Sequence, residues 1–192
     1  MNTASIGLNQ GWNETSQFGE DGLIADALER YGIRNEWCFE VGAGDGKTLS
    51  NTWSLRRQGW KALLVESDAG RFHAMREVAL ARDICACRQI GPHDLDTLLD
   101  QTQAPCDLDL GVIDVDGQDF WIWAGLRRYL PRLMLVEFGP DEFVPRLGAT
   151  TGQADRELIE DMGKVKGYTV IAETQCNLLF VRNGLQPIVR PT

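Results

Sequence analysis

The sequence predicts one α/β domain of Rossmann-like type, with a mostly parallel seven-stranded sheet, helices on both faces and a closing antiparallel hairpin. Three observations predict it. Short apolar runs alternate with helical stretches along most of the 192 residues, the signature of a wound sheet with helical crossovers. One such run, Trp37 to Val41, opens directly into Gly42-Ala43-Gly44-Asp45-Gly46. The last two runs are joined only by Glu173 to Cys176, too short for a helical crossover, so they pair antiparallel.

Each element has its own signal. Residues 1–15 are polar and read as a loose lead-in, with the domain proper over 16–192. Leu23, Ile24, Ala27 and Leu28 recur at helical spacing within 19–31, and Ser16 or Gly19 suits the cap. After the strand Trp37 to Val41, a helix is expected from Asp45 to Gln58, stopped by Gly59. Lys61 to Val65 reads as the second strand, 70–81 as a helix and Ile84 to Arg88 as the third strand. Leu95, Leu98 and Leu99 mark a short helix over 94–101. Leu108 to Val115 reads as the fourth strand, 119–129 as a helix and Arg132 to Phe138 as the fifth strand. A loop with Pro145, Gly148 and Gly152 follows Pro140, then a helix over 153–166 and strands Tyr168 to Ala172 and Asn177 to Arg182.

Composition narrows the function classes. The chain has 28 acidic and 19 basic residues, a formal charge of −9, which opposes nonspecific attraction to nucleic acid or anionic membrane. The basic groups Arg56, Arg57, Lys61 and Arg127, Arg128, Arg132 read as solvated helix faces. Five cysteines are an odd count and form no disulfide framework. Cys38, Cys85, Cys87 and Cys176 sit in apolar runs and read as small core residues. No apolar stretch approaches a membrane span or a signal peptide, so a cytoplasmic setting is expected, with no nucleic-acid or membrane partner.

The glycine loop lies where open α/β sheets bind ligands, beyond the carboxyl ends of the strands. Three ligands compete for it. A dinucleotide loop wants GxGxxG, but the third glycine comes one residue early and Lys47 stands in its place. A phosphate loop wants GxxxxGK[ST], but Val41 stands where its first glycine belongs. S-adenosylmethionine (SAM), with its sulfonium and ammonium, suits an acidic strand residue, Glu40, beside the glycines. Glu66 ends the second strand 20 residues after Gly46, where a carboxylate can accept from both ribose hydroxyls. Glu40, Gly42, Ala43, Gly44, Gly46, Glu66, Ser67 and Asp114 are therefore the expected cofactor residues.

Ser16 to Asp21, Phe39 to Gly46, Leu49 to Thr52, Gly59-Trp60, Leu64 to Glu66 and Ile113 to Phe120, in that order, resemble the FkbM-type SAM-dependent methyltransferases. The resemblance runs over about 16–140. It implies a class I methyltransferase fold and O-methylation of a hydroxyl on a sugar or related small molecule. Common members carry Asp-x-Glu-Gly where this chain has Asp114-Val115-Asp116-Gly117. The resemblance aligns Asp114 with the acid near the transferable methyl, and turns Gln17 and Asp21 towards cofactor or substrate.

Asp114, Asp116 and His93 are the candidate catalytic residues, as general bases for a hydroxyl. Gln17, Asp21, Asn51 and Glu137 are the candidate acceptor contacts. Asp116 alternatively caps the helix starting near Asp119, and the carboxylates Asp114, Asp116 and Glu137 could instead hold a divalent cation, although no metal set is assigned. Phe120 and Trp123 either pack on the sheet or form a stacking wall for a sugar ring. An oxidoreductase and a noncatalytic binding module are the competing classes.

Overall fold

The structure, a computed structural model, describes residues 11–139 and 153–189. The loop expected after Pro140 lies outside them. Seven strands, β1 (Trp37–Val41), β2 (Lys61–Glu66), β3 (Asp83–Cys87), β4 (Leu110–Ile113), β5 (Leu133–Glu137), β6 (Tyr168–Glu173) and β7 (Asn177–Arg182), form one sheet. Their order is β3-β2-β1-β4-β5-β7-β6, and β7 pairs antiparallel with both neighbours while the pairings from β3 to β5 are parallel. The order reverses between β1 and β4, which opens a crevice above their carboxyl ends.

Six helices cover the sheet: α1 (Glu20–Tyr31), α2 (Trp53–Arg57), α3 (Ala69–Val78), α4 (Leu95–Thr102), α5 (Asp119–Gly125) and α6 (Arg156–Val165). Every residue of β1 and β4 is buried, as expected for parallel strands covered on both faces. One face packs Phe39, Leu63, Ile113 and Met134 against α4, α5 and α6, with Trp123 edge-on to Tyr168. The other packs Cys38, Leu64, Val112 and Leu135 with Ile24, Ala27 and Leu28 of α1.

Several expectations are corrected, each for a local reason. The helix expected from Asp45 is confined to Trp53–Arg57. Asp45 accepts from the Lys47 and Thr48 amides (2.9 and 2.6 Å), and Glu40 accepts from the Asn51 amide (2.8 Å), so side-chain oxygens hold these amides in place of a helix. Helix α5 stops at Gly125, where a Cβ would lie 1.3 Å from the Pro92 carbonyl oxygen. Residues 11–18 are not loose: the Gly22 amide donates to the Trp12 carbonyl (2.9 Å), and Asp21 accepts from the amides of Glu14, Thr15 and Ser16.

The basic groups are not all solvated. Arg56 is fully buried and forks onto Asp83 (3.1 and 2.6 Å), with a third bond to the Gly46 carbonyl oxygen. Arg132 reaches Asp109 at 3.2 Å and the Tyr31 carbonyl at 2.6 Å. Cys38 is buried, but Cys85 and Cys176 are half-buried and Cys87 is exposed. The burial of Arg56 and the incomplete burial of Cys85 and Cys87 share a cause, since β3 is an edge strand whose residues are only partly covered and which offers Asp83 as partner. Among the described residues no helix is long and apolar enough to cross a membrane.

Candidate functional site

A cavity of about 440 Å³ opens above the carboxyl ends of β1, β2, β4 and β5, within the range of small-molecule sites. Gln17, Glu40, Gly42, Ala43, Gly44, Asn51, Glu66, Ser67, Asp114, Asp116 and Glu137 all line it. The structure thus brings together most of the residues singled out in the sequence. It also adds Glu20, Arg71, Arg88, Gln118 and Asn177.

Gly42, Gly44 and Gly46 all take positive φ (88°, 56° and 76°), the left-handed region in which glycine is unstrained. Their surroundings differ. A Cβ on Gly42 would lie 1.7 Å from the Asp114 carbonyl oxygen, and one on Gly46 would lie 2.7 Å from Met75 Cγ. A Cβ on Gly44 would meet nothing within 4 Å. Two of the glycines are therefore demanded by the chain itself, and Gly44 is the bare part of the wall. The amides of Gly42 and Ala43 both donate to the Val65 carbonyl (2.9 and 3.0 Å), which ties the loop to β2.

Two strand-end glutamates shape the cavity. Glu40 is buried and accepts from Ser50 Oγ (2.7 Å), Thr52 Oγ1 (2.6 Å) and the Asn51 amide. Burial pushes its pKa up while these donors oppose the shift. Its bonds hold Ser50, Asn51 and Thr52 along the cavity edge as an irregular segment. Glu66 accepts from the Gly44 amide through Oε2 (2.9 Å) and from the Asp68 amide through Oε1 (2.8 Å). A carboxylate has about four lone-pair positions, so both oxygens keep capacity for a ligand's hydroxyls. Ser67 Oγ lies 3.4 Å from Glu66 Oε1.

At the ends of β4 and β5, Asp114 and Glu137 share a hydrogen bond, which needs one proton between the two carboxyls. Burial, then the nearby Asp119 charge, pushes Asp114 up to about 7. Burial, then the charge on Asp114, pushes Glu137 up to about 9. Two carboxyls this close keep one proton between them because a double negative charge is costly. Asp116 is exposed, at φ 53°, and its amide donates to Glu137 Oε2 (3.3 Å). Asp116 does not cap α5. Asp119 closes that turn by accepting from the Val115 and Gly117 amides (2.8 and 3.1 Å). Strand alternation does not relate Asp114 to Asp116, because β4 ends at Ile113.

The structure does not bring four expected residues to the cavity in the expected way: Gly46, expected at the cofactor, packs against Met75 outside the lining, and His93, Asp21 and Phe120 also lie elsewhere. His93 is exposed and outside the lining, since its loop before α4 points away. Asp21 lies behind the cavity as the anchor of 14–16, with Ser16 Oγ at 2.8 Å. Phe120 lies outside the lining and stacks edge-on against Trp121, with centroids 5.0 Å apart, while Trp123 is core. Glu20 and Asn177 went unread because their meeting needs α1 and β7 side by side: Asn177 Nδ2 donates to Glu20 Oε1 at 3.4 Å across the whole chain. Among the described residues no group of three or more His, Cys, Asp or Glu side chains is placed to hold a metal ion.

A pH effect on stability follows from the carboxyl pair. Both groups hold their proton more tightly when folded, so this stabilisation is complete below about pH 4. It is lost as pH rises through about 7 and about 9. The expected loss is about 1–2 kcal/mol, less than a dry pair would give because water reaches Glu137. Urea unfolding on both sides of this window should show the loss in the native protein and a flatter profile in Glu137→Gln. Equal slopes in the two proteins would contradict the shared proton.

No known family profile matches the chain, and no curated protein sequence matches it. Solved structures do. LepI in complex with SAM matches with a TM-score of 0.50 at 11% identity, over 83% of this chain and 46% of that one. The fold shared with it is Rossmann-like, a seven-stranded and mostly parallel sheet with helices on both faces. A SAM-dependent methyltransferase from Bacteroides fragilis, solved with S-adenosyl-L-homocysteine (SAH), gives 0.49 at 13% identity, over 85% of this chain and 76% of that one. The O-methyltransferase NcsB1 from neocarzinostatin biosynthesis, solved with SAH and a dihydroxynaphthoic acid, gives 0.47 at 14%, over 85% and 57%. The chain spans about half the length of several proteins it matches, 43% and 57% in two further cases.

Proposed function

We propose that this chain transfers a methyl group from SAM to a hydroxyl of a small polar acceptor, a sugar or a related molecule, in the manner of the FkbM-type enzymes its sequence resembles. The observation that carries the reading is the cavity at the switch point of this fold, where the half-buried Asp114 and Glu137 meet within reach of the glycine loop and Glu66, with Asp114 pushed up to about 7 by its surroundings. A base is most effective when its pKa lies near the working pH.

The residues present fit the cofactor. Six acidic residues and two arginines line the cavity, a balance that favours a cationic ligand over a pyrophosphate. Glu66 keeps acceptor capacity for ribose hydroxyls, and Ser67 stands beside it. Gly44 leaves the loop wall bare beside Gly42 and Ala43, which also line the cavity, and Gly46 supports the loop from behind against Met75. Glu40 fixes the edge that carries Asn51. When bound, SAM supplies an electrophilic methyl group.

The chain's own residues do the rest. Asp114, in its ionised form, accepts the proton of the acceptor hydroxyl through a carboxylate oxygen. Glu137 holds Asp114 in place by its shared proton, and the Asp116 amide steadies Glu137 in turn. Gln17 and Asn51 stand at the rim to orient the acceptor.

Calorimetric titration tests the first half. SAM and SAH should bind while NADH does not, and Glu66→Ala should weaken SAM by about tenfold or more, the worth of a hydrogen bond to a charged group. Absence of both heat and thermal shift with SAM and SAH would discard this reading.

A further inference from the structure

The β5–β7 end of the cavity is rich in hydrogen-bond acceptors and has no cationic side chain in its lining. Asn177 is 3% exposed and lines the cavity, yet its Oδ1 has no partner. Its amide orientation is fixed by the neighbouring acceptor, because Nδ2 donates to Glu20 Oε1. Asn177 sits opposite Glu137 in the β5–β7 ladder, so the two side chains share one face of the sheet. Glu20, also buried, accepts through Oε2 from the Gln17 and Phe18 amides (3.1 and 2.6 Å) and exposes no donor. Asn51 Oδ1, on the same cavity, is likewise without a partner.

The two arginines of the cavity do not answer these oxygens. Arg71 belongs to α3, which follows β2, and Arg88 follows β3, where it pairs with Asp94 at 3.3 Å. The strand order puts β3 and β2 on one side of β1, and β5 and β7 on the other. The two ends of the cavity therefore differ: both arginines stand at the β2–β3 end with Glu66, and carboxyls and acceptor oxygens stand without a cation at the β5–β7 end.

We propose that the methyl acceptor carries an ammonium group as well as its hydroxyl, and that Glu20, Glu137 and Asn177 hold that ammonium. This rests on the methyl-transfer reading above. An ammonium has three N–H donors and no acceptor, the complement of a wall where Asn177 Oδ1 has no partner and the Glu20 and Glu137 carboxyls stand beside it. It supplies the positive charge that the carboxyls otherwise obtain from a retained proton, and so leaves Asp114 ionised for the hydroxyl. A neutral polyol brings donors but no charge.

The test compares ethanolamine with ethylene glycol, which differ in the ammonium, by calorimetric competition on the whole protein with and without SAH. Ethanolamine should bind at least about tenfold more tightly than the glycol, as expected for charge-assisted over neutral hydrogen bonds. Asn177→Leu and Glu137→Gln should each erase most of that preference, while Asn177→Asp, which keeps an acceptor, should retain it. Equal binding of the two probes, or binding of neither, overturns the proposal even if SAH binds. If the Asn177 and Glu137 variants lose SAH affinity and show no change towards ethanolamine, these atoms serve the cofactor and the proposal is also overturned. Failure of SAH to bind counts against methyl transfer alone, because the probe comparison without SAH still reads the ammonium site.

Discussion

Gly42→Ala should destabilise the protein by more than about 4 kcal/mol, a large share of a single domain's usual stability. The added carbon would lie 1.7 Å from the Asp114 carbonyl oxygen, and φ is +88°. Neither conflict can relax easily: the oxygen belongs to backbone at the end of β4, and the Asp114 amide is itself bonded to the Val41 carbonyl (3.0 Å). Gly44→Ala should behave differently. It meets no atom within 4 Å, so its cost is the left-handed strain, about 1–2 kcal/mol. Its Cβ would project into open space beside the cavity and should weaken SAM binding more than stability. Denaturant unfolding together with SAM titration separates the two. A folded Gly42→Ala of near-native stability would mean that the crossing of β1 and β4 is not as close as described.

Asp114→Asn should lower kcat by about 10²–10⁴-fold, the usual contribution of a positioned base. Asparagine preserves the shape and can still bond Glu137, so SAM affinity should change little. Removing one of two close, half-buried carboxyls should leave thermal stability equal or higher. Single-turnover methyl transfer, with SAM binding measured in parallel, checks this. Activity of Asp114→Asn within threefold of native (about 0.7 kcal/mol) would remove Asp114 from the chemistry and leave it a positioning role.

Much of the architecture was legible because local pattern and global fold agree. Strands β1 and β7 fall on the residues their apolar runs mark, Trp37–Val41 and Asn177–Arg182. The four-residue connector before β7 dictated its antiparallel course. Segments failed where a side chain competes with the backbone. The helix expected over 45–58 begins only at Trp53, because Glu40 and Asp45 capture amides that a helix would use. Arg56 looked like a solvated charge because its partner, Asp83, lies 27 positions away on an edge strand.

The site divides in the same way. The glycines, Glu66 and Asp114 sit at strand ends that pattern alone locates, so the sequence by itself determined the fold class, the crevice and the acids along it. What it left open was which acids act together and why each glycine is there. Asp114 meets Glu137, and Asn177 meets Glu20, only because β4 lies beside β5 and β7 beside α1, pairings set by long-range packing. Gly42 owes its identity to a carbonyl 72 positions on. Spacing along a chain records which face a residue presents, whereas proton sharing and steric exclusion depend on distances between segments that only the folded packing brings together.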